Sequence, residues 1–222
     1  MDLKGKIINF LGDSITEGHS VVDLNNRYDN VIKKEYGLKE CYNYGIGGTR
    51  LAHQTIPSVK PRHDLCFCGR AYDLNPDADV IVVYGGVNDY ISGDAPIGNW
   101  GDKTPATFYG AVWFLMDFLK SNYKSKIVFI SPAHVCYNGV VDYKPSNYPT
   151  KIDDALPLVE YVKIIEKTAK EFNIPMLNLY ETLKINPNDN KDYEKFTADG
   201  LHFNDEGHKI LARCVGEFLK SL

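Results

Sequence analysis

Short apolar runs recur along the chain, and polar or glycine-containing segments separate them. We predict β-strands at Lys6–Leu11, Glu40–Tyr44, Asp79–Tyr84, Lys126–Ser131 and Pro175–Leu179. Most of these runs are apolar throughout rather than alternating, which is typical of parallel strands that are covered on both faces. The pattern therefore predicts a buried parallel sheet of about five strands.

Apolar residues with helical spacing occupy segments between the predicted strands. The spacing predicts one buried helix face at Ala111, Leu115, Phe118 and Leu119, and another at Leu158, Val159, Val162, Ile165 and Ala169. A third helix is predicted after Asn204, with an inward face formed by Ile210, Leu211, Val215, Phe218 and Leu219. This alternation predicts an α/β fold in which residues 1–222 form one domain, a three-layer α/β/α sandwich.

Long stretches without regular spacing interrupt this pattern at Ala52–Asn75, Tyr90–Thr107 and Ala133–Asp154. They contain Gly, Pro, Asn and aromatic residues but no repeat, so we interpret them as insertions over the strand ends. Ligands of open parallel sheets bind at the carboxyl ends of the strands. The insertions are therefore expected to form the wall of a pocket.

Charge and hydropathy narrow the range of partners. A formal net charge of −4 without blocks of like charge argues against nucleic acid or an anionic membrane surface and favours a small substrate. The longest apolar runs, Val80–Tyr84 and Ile127–Ile130, are far below the roughly 20 residues that span a bilayer. No removable signal peptide is visible in the sequence, which predicts a cytoplasmic location unless such a segment has been removed.

The cysteines favour reduced thiols. There are 5 of them, an odd number without a secretory signal, which argues against a disulfide framework. Cys66 and Cys68 are separated by one residue and lack a second pair at zinc spacing, so we predict no metal site and no cofactor.

Two short segments at opposite ends of the chain carry the candidate chemistry. Gly12-Asp13-Ser14 follows the first apolar run, and Asp199-Gly200-Leu201-His202 lies near the C-terminus. Asp199 and His202 are three residues apart, so on one tight turn the carboxylate can hold one imidazole nitrogen while the other faces Ser14. The fold must join the segments for this triad to exist; alternatively, Asp13 or Ser14 simply caps a helix. The other histidines, His19, His53, His63, His134 and His208, show no such partner.

Two further segments follow predicted strands. Gly45-Ile46-Gly47-Gly48 offers flexible backbone whose amides could bind an oxyanion, although glycine loops also form turns or bind phosphate. Asn88, in Gly85-Gly86-Val87-Asn88-Asp89, offers a side-chain amide donor, although Asn in such a loop is often a turn residue.

These four segments, in this order, resemble the motifs of the SGNH hydrolases, also called the GDSL esterase/lipase family. The resemblance implies Ser14 as nucleophile, His202 as general base and acid, and Asp199 as the residue that orients it. It also implies an oxyanion hole formed by the amides of Ser14 and Gly48 and the side chain of Asn88, in a flavodoxin-like fold. One departure is Gly47, since family members often have a small polar residue before the oxyanion glycine.

The substrate class follows from the same resemblance. The segments 90–107 and Ser131-Pro132-Ala133-His134 are similar to those of bacterial acetyl esterases that act on carbohydrates. Trp100 and Tyr90 could stack on a sugar, or they could pack within the core or a loop. The expected partner is a small ester, such as an acetylated carbohydrate; lysophospholipase and thioesterase activities are alternatives. A non-catalytic module that binds a phosphate ligand or flavin is an alternative from another class, and the oligomeric state stays open.

Overall fold

A computed structural model describes residues 1–151 and 155–222. Its main sheet has five parallel strands: β1 at Ile7–Gly12, β2 at Glu40–Gly45, β3 at Val80–Tyr84, β4 at Lys126–Ile130 and β7 at Met176–Leu177. A separate antiparallel hairpin pairs β5, Cys136–Tyr137, with β6, Val140–Val141. The predicted parallel sheet is confirmed, with each predicted strand present in it.

The last strand is shorter than the sequence predicts. The prediction extended it to Leu179, but β7 ends at Leu177 because the next helix begins at Leu179. Asn178 caps that helix, since its side chain accepts a hydrogen bond from the backbone N–H of Glu181 at 3.2 Å. Capping by Asn competes with strand formation, which a purely apolar pattern does not register.

The strand order is β2-β1-β3-β4-β7. The chain thus starts inside the sheet, adds β2 on one side and then returns to add the remaining strands on the other side. This is the flavodoxin-like order, in which a crevice opens between β1 and β3 at their carboxyl ends. Residues that directly follow β1, β2 and β3 therefore share one edge of the sheet.

Helices cover both faces of the sheet, and every residue of β3 is buried. The helices are α1 Ser14–Glu17, α2 Tyr28–Tyr36, α3 Phe67–Arg70, α4 Val87–Ile91, α5 Phe108–Asn122, α6 Leu158–Glu171, α7 Leu179–Thr182, α8 Asn190–Phe196 and α9 Asp205–Ser221. The helix α2 packs against α9, and α5 packs against α6. The three-layer α/β/α prediction is confirmed, and the three predicted helices are α5, α6 and α9. Most residues of their predicted inward faces are buried, whereas Phe118, Val159, Ile210 and Phe218 are half-buried.

The predicted insertions are partly helical or paired. The first contains α3 and a 3-10 turn at Pro61–Asp64, and the second begins inside α4. The third contains the β5–β6 hairpin, and its end, residues 152–154, lies outside the described residues. Within 1–151 and 155–222, no helix has both the length and the apolar character that crossing a membrane requires.

A close backbone contact fixes the first helix against the sheet. Gly45 ends β2, and a Cβ added to it would lie 2.1 Å from the backbone nitrogen of Glu17 in α1. The side chain of Asn43 in β2 donates to the carbonyl of Thr16 in the same helix at 2.6 Å. The absence of a side chain at Gly45 therefore lets β2 and α1 approach each other.

We expect Gly45→Ala to lower the free energy of unfolding by about 3 kcal/mol or more, because backbone rather than a flexible side chain must move. Chemical denaturation at constant pH measures the change. The matched control is Gly69→Ala in α3, where the added Cβ would meet only Cys66 Sγ at 3.8 Å, so little loss is expected. Equal stability of the two variants would contradict the proposed contact.

Candidate active site

Ser14 lies at the carboxyl end of β1, where the strand gives way to α1. Asp13 is the N-cap of this helix, and its side chain accepts a hydrogen bond from the Ile15 N–H at 3.0 Å. Ser14 is the first helical residue, so its N–H is one of those without an intrahelical acceptor. The helix ends after one turn at Gly18, whose φ is 92°. Asp13 therefore caps the helix, and the Ser14 hydroxyl is available for other contacts.

The fold brings Ser14, His202 and Asp199 into one hydrogen-bonded chain. His202 Nε2 lies 2.9 Å from Ser14 Oγ, and His202 Nδ1 lies 2.7 Å from Asp199 Oδ2. Ser14 and His202 are each 7% exposed, so the hydroxyl and the ring are largely shielded from water. This geometry permits the ring to accept the serine proton while the carboxylate stabilises the resulting positive charge.

The turn between α8 and α9 orients the carboxylate. Asp199 Oδ1 accepts the backbone N–H groups of Leu201 and His202, at 3.1 and 2.8 Å. Burial acts to raise the pKa of Asp199, but the hydrogen bonds from His202 and these N–H groups hold it below its usual 3.8. Gly200 makes this turn possible, since its φ is 83° and a Cβ would lie 1.8 Å from the Cys136 carbonyl oxygen. Asp199 is therefore ionised at neutral pH.

The glycine turn after β2 lies beside Ser14. Gly48 has a φ of 75°, and a Cβ there would meet the His63 ring at 2.7 Å. Its N–H has no acceptor among the described residues, whereas the Gly47 N–H donates to Glu17 Oε2 at 2.7 Å. The predicted donor, Gly48, is thus the glycine of this pair whose amide is available to a ligand.

Asn88 lies in the first turn of α4, after β3, and its side chain is nearly buried. One N–H of its amide donates to the Thr49 carbonyl at 3.0 Å. A side-chain amide carries two N–H donors, so the second can serve a ligand. Asn88 faces the same cavity as Ser14 and Gly48. We call three groups the donor set: the backbone N–H of Ser14, the backbone N–H of Gly48 and the side-chain amide of Asn88.

The cavity has a volume of about 370 Å³, and most of its lining residues have polar side chains. Besides Ser14, His202 and the donor set, the wall includes Lys60, Arg62, His63, Ser92, Tyr137 and Tyr148. Ile91 and Leu201 are the aliphatic members among the described lining residues. The His19 ring lies against His202, with centroids 4.4 Å apart. Aliphatic side chains therefore form only a small part of the described wall.

Tyr90 and Trp100, for which sugar stacking and packing were both left open, do not line this cavity. Tyr90 is fully buried in α4, and its hydroxyl oxygen lies 2.7 and 2.8 Å from the carbonyl oxygens of Val141 and Lys144, either of which can accept its one O–H. Trp100 is half-exposed but lies in a separate groove with Tyr109, where the Lys167 ammonium covers its ring at 3.7 Å. Aromatic composition of a loop does not reveal which way its rings face.

The contacts of the other candidate groups, His134, Cys66 and Cys68, are those of residues that stabilise the fold. His134 pairs with Asp142, Nδ1 to Oδ2 at 2.7 Å, a partner eight positions further along the chain that the sequence analysis missed. Cys66 and Cys68 are buried, and burial raises the pKa of both thiols, which favours their protonated form. Among residues 1–151 and 155–222, no three His, Cys, Asp or Glu side chains converge as metal ligands would.

Glu17 is a site residue that sequence reasoning did not single out. Its two carboxylate oxygens accept the Gly47 N–H at 2.7 Å and the Arg62 guanidinium at 2.5 Å, and it lines the cavity. It thereby ties the glycine turn to α1. Glu17 lies three positions after Ser14, but its partners lie in other loops, so spacing alone could not reveal these contacts.

The chain belongs to the GDSL-like Lipase/Acylhydrolase family, whose pattern it matches over residues 10–210. The family resemblance inferred from the four motifs is therefore confirmed, and the protein is a hydrolase of the SGNH/GDSL type. No match to a curated protein sequence was found.

Solved structures share the whole fold. A protein from Lactobacillus plantarum is 27% identical, with a TM-score of 0.80 and 98% of each chain covered. An acetyl xylan esterase is 20% identical, with a TM-score of 0.61 over 95% of this chain and 98% of its own. A carbohydrate acetylesterase family member from Sinorhizobium meliloti is 17% identical, with a TM-score of 0.64 over 97% of this chain and 98% of its own. The last two likenesses establish a common fold.

Two carboxyl groups beneath the site are completely buried. Burial raises the pKa of Asp13 from 3.8 to about 6, although the Ile15 N–H, His202 and Arg70 oppose this rise. Burial likewise raises the pKa of Asp89 to about 6, against hydrogen bonds from the N–H groups of Ala52 and Leu51. Both carboxyl groups therefore release their protons at higher pH in the folded protein than in the unfolded chain.

The stability that these raised pKa values contribute is fully present below about pH 4 and is lost as pH rises through about 6. For Asp13 the difference corresponds to about 3 kcal/mol. We expect Asp13→Asn, which keeps the helix cap, to make the change in unfolding free energy from pH 4 to pH 7 more favourable than in wild type by about 3 kcal/mol. Urea denaturation across this range measures how the unfolding free energy changes with pH. The control is Asp77→Asn, since Asp77 is exposed. If Asp13→Asn showed the same pH dependence as wild type, the raised pKa of Asp13 would be refuted.

Proposed function

We propose that the protein is a serine esterase that hydrolyses short-chain carboxylic esters, in particular acetyl esters of carbohydrates. The observation that carries the proposal is the continuous chain from Ser14 Oγ through the His202 ring to Asp199, with contacts of 2.9 and 2.7 Å. A serine hydroxyl is a weak nucleophile unless a base accepts its proton, and this chain supplies the base and its orienting carboxylate.

In the first half of the reaction, Ser14 Oγ attacks the ester carbonyl carbon while its proton passes to His202 Nε2. The carbonyl π electrons move onto oxygen, and the donor set stabilises the oxyanion. Collapse of the tetrahedral intermediate breaks the bond to the leaving alcohol, and His202 returns the proton to the alcohol oxygen. The product of this half is an acyl ester on Ser14.

In the second half, water replaces the alcohol. His202 accepts a proton from water, whose oxygen attacks the acyl carbon and forms a second oxyanion in the same place. Collapse returns the proton to Ser14 Oγ and releases the carboxylic acid. The Nδ1–H of His202 donates to Asp199 throughout, which keeps Nε2 free to exchange the proton.

The cavity supports a small, polar ester as substrate. Among its described lining residues only Ile91 and Leu201 have aliphatic side chains, and solved structures with the same fold are described as an acetyl xylan esterase and a carbohydrate acetylesterase family member. A lysophospholipase or acyl thioesterase would need an apolar groove for a long chain. A module that binds a phosphate ligand or flavin without catalysis would leave the contact between His202 and Ser14 without a role.

We expect Ser14→Ala and His202→Ala each to lower kcat by about 10⁴-fold or more, and the double variant to be little worse than either. Steady-state hydrolysis of p-nitrophenyl acetate measures this. A fluorophosphonate should label wild-type protein at Ser14, identified by mass spectrometry of the modified peptide. Labelling elsewhere, or acyl-enzyme formation in pure Ser14→Ala, would reject Ser14 as nucleophile.

A matched control comes from the second histidine–aspartate pair. His134 and Asp142 are 2.7 Å apart, like His202 and Asp199, but His134 does not line the Ser14 cavity. His134→Ala should therefore retain kcat within about threefold, since it removes a similar pair without touching the proton transfer.

Acyl length tests the substrate class. Each buried methylene adds about 0.8 kcal/mol of binding while there is room, after which steric overlap dominates. On p-nitrophenyl esters, kcat/KM should peak between acetyl and butyryl and fall at octanoyl, measured below micelle-forming concentrations. An acetylated xylan fragment should also be deacetylated. A steady rise to octanoyl without sugar-ester activity would assign the protein to the lipid or thioester branch.

A further inference from the structure

A buried arginine lies directly beneath the glycine turn. Arg70, at the end of α3, is 9% exposed, and its guanidinium donates to four oxygen atoms. Nε donates to the Leu65 carbonyl at 2.8 Å, and one terminal nitrogen donates to the Tyr44 carbonyl. The other terminal nitrogen donates to the Gly12 carbonyl at 3.0 Å and to Thr49 Oγ1 at 2.9 Å.

Three of these acceptors belong to the segments that carry the donor set. Gly12 is two positions before Ser14, and Thr49 directly follows Gly48. Tyr44 lies in β2, just before the glycine turn begins. One guanidinium therefore spans the carboxyl ends of two adjacent strands and the turn that follows the second.

Thr49 also connects Arg70 to the side chain of Asn88, the third member of the donor set. While Thr49 Oγ1 accepts from Arg70, the Thr49 carbonyl accepts from Asn88 Nδ2 at 3.0 Å. The aromatic ring of Phe67, which lies 4.8 Å from the Arg70 guanidinium carbon, also fills the space where a Cβ on Gly85 would be, at 2.5 Å. Phe67 therefore packs against Gly85, at the start of the segment that leads to Asn88, and at the same time against Arg70.

The chemistry of these contacts requires arginine. A guanidinium presents five N–H donors in one rigid plane, whereas a lysine ammonium is a compact charge on a flexible stem. Burial lowers the pKa of Arg70 to about 10, and the carboxylate of Asp13 acts against this fall, so the group stays charged at neutral pH. Arg70 does not line the cavity, so it reaches a substrate only through the segments it holds.

We propose that Arg70 is a positioning residue that fixes the spacing of the Ser14, Gly48 and Asn88 donors through Gly12, Tyr44 and Thr49. The inference rests on the proposed function, because only acyl transfer gives the donor set an oxyanion to bind. Preorganised donors act where charge develops in the transition state, so their displacement lowers kcat and leaves substrate binding nearly unchanged.

The first test compares Arg70→Met and Arg70→Lys with wild type on p-nitrophenyl acetate. Loss of one oxyanion donor typically lowers kcat by about 10²–10³-fold, and we expect Arg70→Met to lose about 10²-fold with KM within about threefold. Arg70→Lys keeps the charge but not the planar fork, so it should recover less than a tenth of the lost kcat.

A double-mutant cycle with Asn88→Ala distinguishes positioning from a general effect on folding. If Arg70 acts partly through Asn88, the double variant should lose at least tenfold less kcat than the product of the two single losses. A residue that merely supports the fold would give independent, multiplicative losses in kcat, measured on the folded fraction.

Two further variants keep the test informative if Arg70→Met fails to fold. Thr49→Val retains Arg70 but removes Oγ1, which accepts from Arg70 and also donates to the Ile46 carbonyl at 2.7 Å, and it should lower kcat by about tenfold or more. Thr49→Ser, which restores that oxygen, should return kcat to within about threefold of wild type. Failure of this rescue would count against the proposal.

Arg50→Met is the matched control. Arg50 is also a buried arginine, but its guanidinium donates to Ser58 Oγ, the His63 carbonyl and Ser92 Oγ, at 3.3, 3.3 and 3.1 Å. Because His63 and Ser92 line the cavity, the loss of Arg50 should lower thermal stability and change KM, while kcat stays within about threefold of wild type. An equal loss of kcat in Arg50→Met would overturn the specific role of Arg70.

The outcomes separate the two proposals. If wild-type protein neither hydrolyses esters nor reacts with a fluorophosphonate at Ser14, the proposed function fails and the role of Arg70 fails with it. If wild-type protein is active but Arg70→Met and Thr49→Val keep its kcat, or the cycle is multiplicative, the esterase assignment stands and the role of Arg70 is overturned.

Discussion

The contact between Ser14 Oγ and His202 Nε2 joins residues that are 188 positions apart, and the arrangement of the sheet closes that distance. Parallel strands all end at the same edge, so the loops after β1, β2 and β3 converge there whatever their separation along the chain. The segment with His202 leads directly into α9, and α9 packs against α2, which holds this segment against the rest of the fold. The proposed chemistry depends on this convergence, because a proton transfer needs both groups within hydrogen-bond distance.

The same edge concentrates polar groups that a stable core would normally exclude. Asp13, Asp89 and Arg70 are all buried there, and each is retained through hydrogen bonds to backbone groups of the converging loops. Burying a charge is costly unless it is paired and hydrogen-bonded, so these side chains hold the loops in one arrangement at some expense of stability. An active site that relies on fixed donors and not on mobile water benefits from such rigidity.

Periodicity predicted the elements that packing also favours. The continuous runs of β1, β3 and β4 are buried on both faces, so local pattern and tertiary environment agree. Agreement failed where one side chain competed with the pattern, as when Asn178 capped a helix and shortened β7. The pattern also missed elements in the predicted insertions. There, α3 and the β5–β6 hairpin form from short segments whose hydrophobic periodicity is too weak to recognise.

The sequence by itself determined the β-α alternation, the apolar faces and the motifs that contain Ser14, Gly48, Asn88, Asp199 and His202, because these depend on residue type and local spacing. Tertiary structure decided the rest. Whether Tyr90 faces a substrate or the core, and which backbone oxygens Arg70 reaches, depends on contacts between distant segments. Spacing along a chain fixes which side chains share a turn or a face, whereas the direction of a side chain across an interface is set by what packs against it.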